Sequence, residues 1–228
     1  MIRRIAVALF ALSAVALAQN ELTSQEQKDG FQLLFNGKDM SHWHTVKRRP
    51  NNASWTVTDG ILSYEKGESW LASNDTYYDF ILRLEYKTSD PKADSGVFVN
   101  ASAEGNPGST GVEVNIGSDP SKPATPKGSG AVFDIAGPTK NLSKPDGEWN
   151  TMEITVVKRQ LTEVWNGEKV LELNLDDAQY PKLATRGQYG HIGLQAHAAF
   201  GEPVQFRNIR IKPIRLGPPD PPATPQNQ

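Results

Sequence analysis

The sequence predicts an all-β domain of two stacked antiparallel sheets, a sandwich or jelly roll. Three observations carry that expectation. Many short segments alternate apolar and polar residues with the period of a half-buried strand. Asn-Gly and Asp-Gly pairs stand between such segments, where two-residue hairpins need them. Helical periodicity is scarce, and no repeat of fixed period suggests a propeller. About a dozen one-sided strands need a second sheet against which to bury their apolar faces.

The elements follow in order. SWTVTDGILSY (54–64) reads as a hairpin about Asp59-Gly60. FILRLEYKT (80–88) sets Phe80, Leu82, Leu84 and Tyr86 against Ile81, Arg83, Glu85 and Lys87. GVEVNIG (111–117) sets Val112, Val114 and Ile116 against Glu113 and Asn115. MEITVV (152–157) places Met152, Ile154 and Val156 on one face, and TEVWNGEKVLEL (162–173) turns at Asn166-Gly167. GLQAHAAFGEPVQFRNIRI (193–211) ends as a strand whose apolar members are Val204, Phe206, Ile209 and Ile211. At its start Gln195 and His197 sit two apart, so an extended chain points them the same way. Residues 102–109 and 118–130 are Gly/Pro/Ser-rich loops, a class that is often functional.

The ends read differently. Residues 1–18 have a basic start (Arg3, Arg4), an apolar run from Ile5 to Leu17 and the small-residue pattern Ala16-Leu17-Ala18. That is the pattern of a secretory signal peptide. The run is too short for a comfortable membrane span, which takes about 20 residues, and no later segment is apolar enough. Residues 19–29 form a polar lead-in, residues 30–215 the domain, and residues 216–228 a Pro-rich tail without a core. The expectation is a soluble protein, exported to the periplasm or beyond.

Composition removes several chemistries. With no cysteine there are no disulfides, thiolate nucleophiles or cysteine-based zinc sites. A net charge of −2 gives no reason to expect nucleic acid or an anionic membrane as partner. The chain lacks a Gly-x-Ser-x-Gly elbow, a His-Glu-x-x-His helix, a Walker loop and a dinucleotide fingerprint. A conventional glycosidase on such a fold would place two carboxylates on one strand face. The strand at 111–117 offers Glu113, but two residues on stands Asn115.

What remains is a scattered set: Trp43, Trp55, Trp70, Trp149, Trp165, Glu113, Asn115, Asp134, Gln195, His197 and Arg207. Aromatic faces beside amides and carboxylates suit sugars, which offer C–H faces and hydroxyls. The plainer readings stand beside this one. Most sandwich tryptophans are core, a lone strand glutamate is usually solvated, and His42 and His44 read as surface or packing residues.

Ordered motifs then carry a resemblance. GFQLLFNGKDMSHW (30–43), WTVTDGILSY, ADSGVFVNA, GVEVNI, GAVFDIAGP, KPDGEWNTMEI, VWNGEKV and GHIGLQAHAAFGEPVQFRNIRI occur in the order found in one family. The chain resembles the 3-keto-disaccharide hydrolase family, also described as 3-keto-α-glucoside-1,2-lyase/3-keto-2-hydroxy-glucal hydratase, from about Gly30 to Ile214. The resemblance implies a concanavalin A-like β-sandwich, export in bacteria, and a 3-keto-glucoside or 3-keto-disaccharide as substrate. It also implies a chemistry that needs no carboxylate pair. A C3 ketone acidifies the C2 proton; its removal gives an enolate that expels the C1 group, and water then adds to the resulting glucal. Such a site requires a base, an acid and a stabiliser for the enolate oxygen.

Carried over by position, the resemblance implies His197 and Glu113 as acid and base in either order. It gives Gln195 and Arg207 to sugar oxygens or the enolate, and Asn115, Asp134 and Trp149 of the scattered set stand beside them as substrate-binding candidates. The metal is left unknown, with a divalent cation a possible enolate stabiliser. The chain departs from the family pattern at Ala196, often Asp, at Asn100, often Arg, and at Asn115, commonly Gln. Ala198-Ala199-Phe200 also intervene where a glycine often follows the histidine. The alternatives are a non-catalytic carbohydrate-binding module and a conventional glycosidase.

Overall fold

The computed structural model describes residues 19–46, 54–65, 67–118, 120–197 and 201–217. The expected signal segment, most of the expected tail and Ala198-Ala199-Phe200 lie outside the described residues. Twelve strands follow in chain order: β1 (Gln32–Leu33), β2 (Trp43–Val46), β3 (Trp55–Thr58), β4 (Ile61–Tyr64), β5 (Glu68–Lys87), β6 (Asp94–Ala101), β7 (Val112–Gly117), β8 (Asn150–Val157), β9 (Gln160–Trp165), β10 (Glu168–Asn174), β11 (Gly190–His197) and β12 (Gln205–Leu216). Three short helices, α1 (Ser24–Asp29), α2 (Pro107–Thr110) and α3 (Pro181–Ala184), lie between them.

The two layers share β5, which is 20 residues long. Its first half pairs with β2 and β11 and its second half with β8 and β12, all antiparallel. One layer therefore runs β7-β6-β11-β5-β2 and the other β10-β9-β8-β5-β12, with β1 and the β3–β4 hairpin attached to β12. Only the second half of β5 is legible by alternation. In the first half Trp70, Leu71 and Ala72 are all buried, because both faces are covered and the polar half of the pattern disappears.

Leu71, Val97, Val99, Val114, Ile116, Ile192 and Leu194 from the first layer meet Leu82, Leu84, Ile154, Val156, Leu161, Phe206 and Ile211 from the second in one core. Each such side chain contributes roughly 1.5–3 kcal/mol on burial. The expected hairpins occur, with Asp59-Gly60 at φ 52° and 75° and Asn166-Gly167 at φ 49° and 85°. A third hairpin has no glycine or asparagine to announce it. Lys158 and Arg159 turn β8 into β9 at φ 49° and 63°, held by Lys158 N donating to Asp79 Oδ1 at 2.8 Å.

Two elements differ from expectation. The lead-in is ordered in part: Thr23 and Glu26 close a capping box on α1, and Glu26 is buried. Asn20 is tied to the domain by a reciprocal pair, its N–H to Asn208 Oδ1 at 2.6 Å and the Asn208 N–H to Asn20 Oδ1 at 2.8 Å. β12 is not a regular strand. Asn208 sits at φ 52° and the register shifts between Arg207 and Arg210, so Phe206 and Ile209, three apart, both face the core.

Candidate functional site

The outer face of the first layer is set by what its strands bury. Val97 and Val99 of β6, Val112, Val114 and Ile116 of β7, Ile192, Leu194 and Ala196 of β11, and Leu71 of β5 all face the core. Period two then turns Asp94, Gly96, Phe98, Glu113, Asn115, Gly193, Gln195, His197, Glu68 and Trp70 outward. Register arranges them in rows. Glu113, Phe98, Gly193 and Ala72 share one row, and Asn115 with Gly96 and Gln195 with Trp70 fall in the next. His197 pairs with Glu68, and continuing the β11–β6 register brings it opposite Asp94.

Contacts follow this layout. His197 Nδ1 lies 2.8 Å from Asp94 Oδ2, and Nε2 lies 3.6 Å from Glu68 Oε1. The hydrogen bond to Asp94 raises the His197 pKa above its ordinary value; burial opposes this, and the charges of Asp94, Glu68 and Glu113 add to it. Below that pKa the ring carries the proton that Asp94 holds in place.

The floor is aromatic. Trp70 and Phe98 meet edge to face at 5.8 Å and 80°. Gly193 makes room for the indole, since a Cβ there would stand 2.5 Å from Trp70 Cε3. Glu113 rests between two more glycines: a Cβ at Gly96 would be 2.9 Å from its Oε1, and one at Gly108 2.8 Å from its Oε2. Arg186 holds this corner by donating to the Gly108 carbonyl. Burial lowers the Arg186 pKa and the nearby Glu113 charge opposes the shift. Glu68, Trp70, Phe98, Gln195 and His197 line a hollow of about 190 Å³. Trp70 Nε1 and Gln195 Oε1 are buried without a hydrogen-bond partner among the described residues. An unmade bond of this kind costs about 1–3 kcal/mol, so each calls for a reason.

The face thus unites His197, Glu113 and Gln195 of the sequence-derived set. Asn115 lies on it too, but its amide donates to the carbonyls of Lys127 (3.3 Å) and Gly128 (3.1 Å) and fixes a loop. Asp134 turns aside, its carboxylate 3.4 Å from Lys127 Nζ and 3.7 Å from Lys182 Nζ. Arg207 and Trp149 belong elsewhere. They stack on each other at 4.0 Å on the outer face of the second layer, with Arg207 Nε 2.8 Å from Glu85 Oε2. The seven residues do not share one site, because the sandwich core separates these two from His197. The reason is topological, since β12 pairs with the second half of β5 and β11 with the first.

Asp94, Glu68, Trp70, Phe98 and Arg186 join the site without having been assigned to it. Asp94, Gly96 and Phe98 carried a signal, because they alternate with Val97 and Val99 in ADSGVFVNA. Trp70 was legible as an aromatic but not as an outward-facing residue, and Glu68 carried no signal, for the reason given for β5. Asn100, where the family often has Arg, stands at φ 54° and donates to the carbonyls of Tyr77 (3.3 Å) and Gln188 (2.7 Å), so here it closes a bulge. Among the described residues no group of three or more His, Asp or Glu is placed to hold a metal ion. His197 Nδ1 is engaged by Asp94.

The architecture is a lectin-type β-sandwich. Peanut lectin superposes with a TM-score of 0.50 at 13% identity, covering 76% of this chain and 91% of the lectin. Closer in shape is a Parabacteroides distasonis crystal structure provisionally called a glycosyl hydrolase, with a TM-score of 0.74, 23% identity, and coverage of 86% and 99%. Residues 30–212 match the family described as the 3-keto-alpha-glucoside-1,2-lyase-like domain, and the chain belongs to that family. A Bacteroides thetaiotaomicron protein named 3-keto-disaccharide hydrolase is 24% identical, over 89% of this chain and 85% of its own length.

Proposed function

We propose that this chain is an exported hydrolase of 3-keto-glycosides that works by elimination and rehydration on the outer face of the first layer. The observation that carries the reading is the Asp94–His197 pair at 2.8 Å on the same face as Glu113. Family membership supports the substrate class, and the start of the sequence supports export.

The roles follow from electrostatics. Three carboxylates favour the protonated form of His197, which suits proton donation. Glu113, in electrostatic contact with Arg186, suits proton acceptance. Glu113 takes the C2 proton and the electron pair moves onto the C3 oxygen as an enolate. The enolate reforms the ketone as the C1–O bond breaks, and His197 protonates the departing oxygen. Water then adds across the resulting double bond, its hydroxyl to C1 and its proton to C2, so the net change is hydrolysis. Gln195, whose buried Oε1 has no hydrogen-bond partner among the described residues, is suited to fixing a sugar hydroxyl directly or through water.

The test pairs a glucoside with its 3-keto derivative, with and without chelator. Cleavage of the keto form alone is the expected result. Cleavage of the plain glucoside would make the protein a conventional glycosidase, and binding without cleavage of either would make it a carbohydrate-binding module.

A further inference from the structure

A short segment extends the first layer beyond β7. Val132 forms an antiparallel bridge with Val114. Asn115 N donates to Ala131 O at 2.9 Å, and Phe133 N donates to Glu113 O at 3.0 Å. Phe133 therefore stands directly opposite Glu113, and residues opposite each other in a ladder project from the same face. Burial agrees: Val132 enters the core, whereas Phe133 is 42% exposed. The row that crosses the layer through Ala72, Gly193, Phe98 and Glu113 thus ends at Phe133.

The segment is held on both sides of this ring. Gly130, at φ 72°, passes close over Trp165, where a Cβ would stand 2.9 Å from Cε3. Asp134 takes φ 59° and donates its N–H to Pro126 O at 2.7 Å, and Ala136 N returns to Val132 O at 3.0 Å. Exposure alone says little, since single apolar residues are common on surfaces. The place of this one says more. Phe133 lines a cavity of about 540 Å³ with Asp94 and Asn115, a volume that suits a sugar-sized ligand. Trp70 and Phe98 are buried and offer no ring face, so on this row the open face belongs to Phe133.

We propose that Phe133 is the stacking platform of the site, and that the keto-sugar whose C2 proton Glu113 removes lies with a C–H face against this ring. The proposal rests on the functional reading of Glu113 given above. The negative face of an aromatic ring attracts C–H groups. A ketone withdraws electron density from the C–H groups beside it, so a 3-keto-sugar makes this contact better than the plain sugar does.

Four proteins test it on one 3-keto-glucoside: wild type, Phe133→Ala, Phe133→Leu and Phe133→Tyr. Alanine and leucine are expected to raise KM roughly tenfold, with kcat within about twofold of wild type. Tyrosine keeps the ring face and is expected to hold the wild-type KM. Leucine and tyrosine both keep the bulk of the side chain, so a difference between them reads the ring and not the fold. An unchanged KM in Phe133→Ala, or leucine acting as wild type, overturns the proposal. Calorimetry with the 3-ketone of 1,5-anhydroglucitol, which has no C1 leaving group, reads binding apart from cleavage, and the same order of affinities is expected. If no 3-keto-glucoside is cleaved, the functional reading fails. The platform then stands if this sugar binds the wild type and loses affinity in the leucine and alanine variants. It falls if the sugar does not bind or binds all four proteins alike.

Discussion

The two outer faces of the sandwich treat charge in opposite ways. On the second layer Glu85, Glu153 and the adjoining Glu26 each have a guanidinium. Glu85 takes Arg207 at 2.8 Å and Asn208 at 2.8 Å, Glu153 takes Arg83 at 2.6 Å, and Glu26 takes Arg210 at 2.5 Å and Arg83 at 3.2 Å. Arg83 and Arg207 also lie over Phe31 and Trp149. On the first layer Glu68 and Asp94 converge on one histidine, and glycines hollow the surface around Glu113 and Trp70. A face whose charges are neutralised stabilises the fold. A face on which carboxylates converge on a histidine beside a hollow is the one proposed for the ligand.

The comparison breaks most readily at the chemistry. His197→Ala is expected to lower kcat on a 3-keto-glucoside by about 10²–10⁴, the usual contribution of general acid–base catalysis. Arg207→Ala should cost only about 1–2 kcal/mol of stability, as a partly buried charge-assisted contact, with turnover nearly unchanged. Equal losses of turnover in the two variants would place the site across both faces.

The core between the faces supplies the next effect. Glu163 is fully buried, and desolvation raises its pKa to about 8. The unfolded chain releases this proton near the ordinary carboxylate value, so the folded state binds more protons between about pH 4.5 and 8. Its contribution to stability is complete below that window and declines as pH rises through it. Glu163→Gln should therefore gain on the wild type across the window, by up to roughly 5 kcal/mol at ~1.4 kcal/mol per unit. Denaturant unfolding of both proteins at pH 5 and pH 8.5 measures the difference, and parallel curves would refute the buried acid.

Gly193→Ala drives a methyl group into the Trp70 indole and should destabilise the protein by about 1–3 kcal/mol. It should also raise KM, because the floor of the hollow must move. Thermal unfolding together with KM checks both; a stable variant with unchanged KM would remove Trp70 from the site.

Asp94→Asn sharpens the role of His197. Losing the carboxylate lowers the His197 pKa, so the proton that His197 is proposed to donate is lost at lower pH. The alkaline limb of the kcat profile is expected to move to lower pH. Movement of the acidic limb instead would exchange the roles of His197 and Glu113.

Legibility differed by region for a physical reason. β7, β8 and the hairpins at Asp59-Gly60 and Asn166-Gly167 were readable because alternation and turn chemistry are local. The outward pair Gln195 and His197 was readable for the same reason, with Ala196 buried between them. The first half of β5 was not, since burial on both faces erases the polar half of its pattern, and with it went Glu68 and the outward direction of Trp70. The turn at Lys158-Arg159 was hidden because tertiary hydrogen bonds, not residue preference, hold two unfavourable backbones in place.

By itself the sequence determined the fold class, the family and the shared face of Gln195 and His197, all properties of order along one chain. Tertiary structure alone decided which residues meet across strands. It brought Asp94 and Glu68 to His197, set Glu113 between Gly96 and Gly108, and sent Arg207 and Trp149 to the far side of the core. Those outcomes depend on strand order and register, which pair residues far apart in the chain, and no local pattern encodes a pairing of that kind.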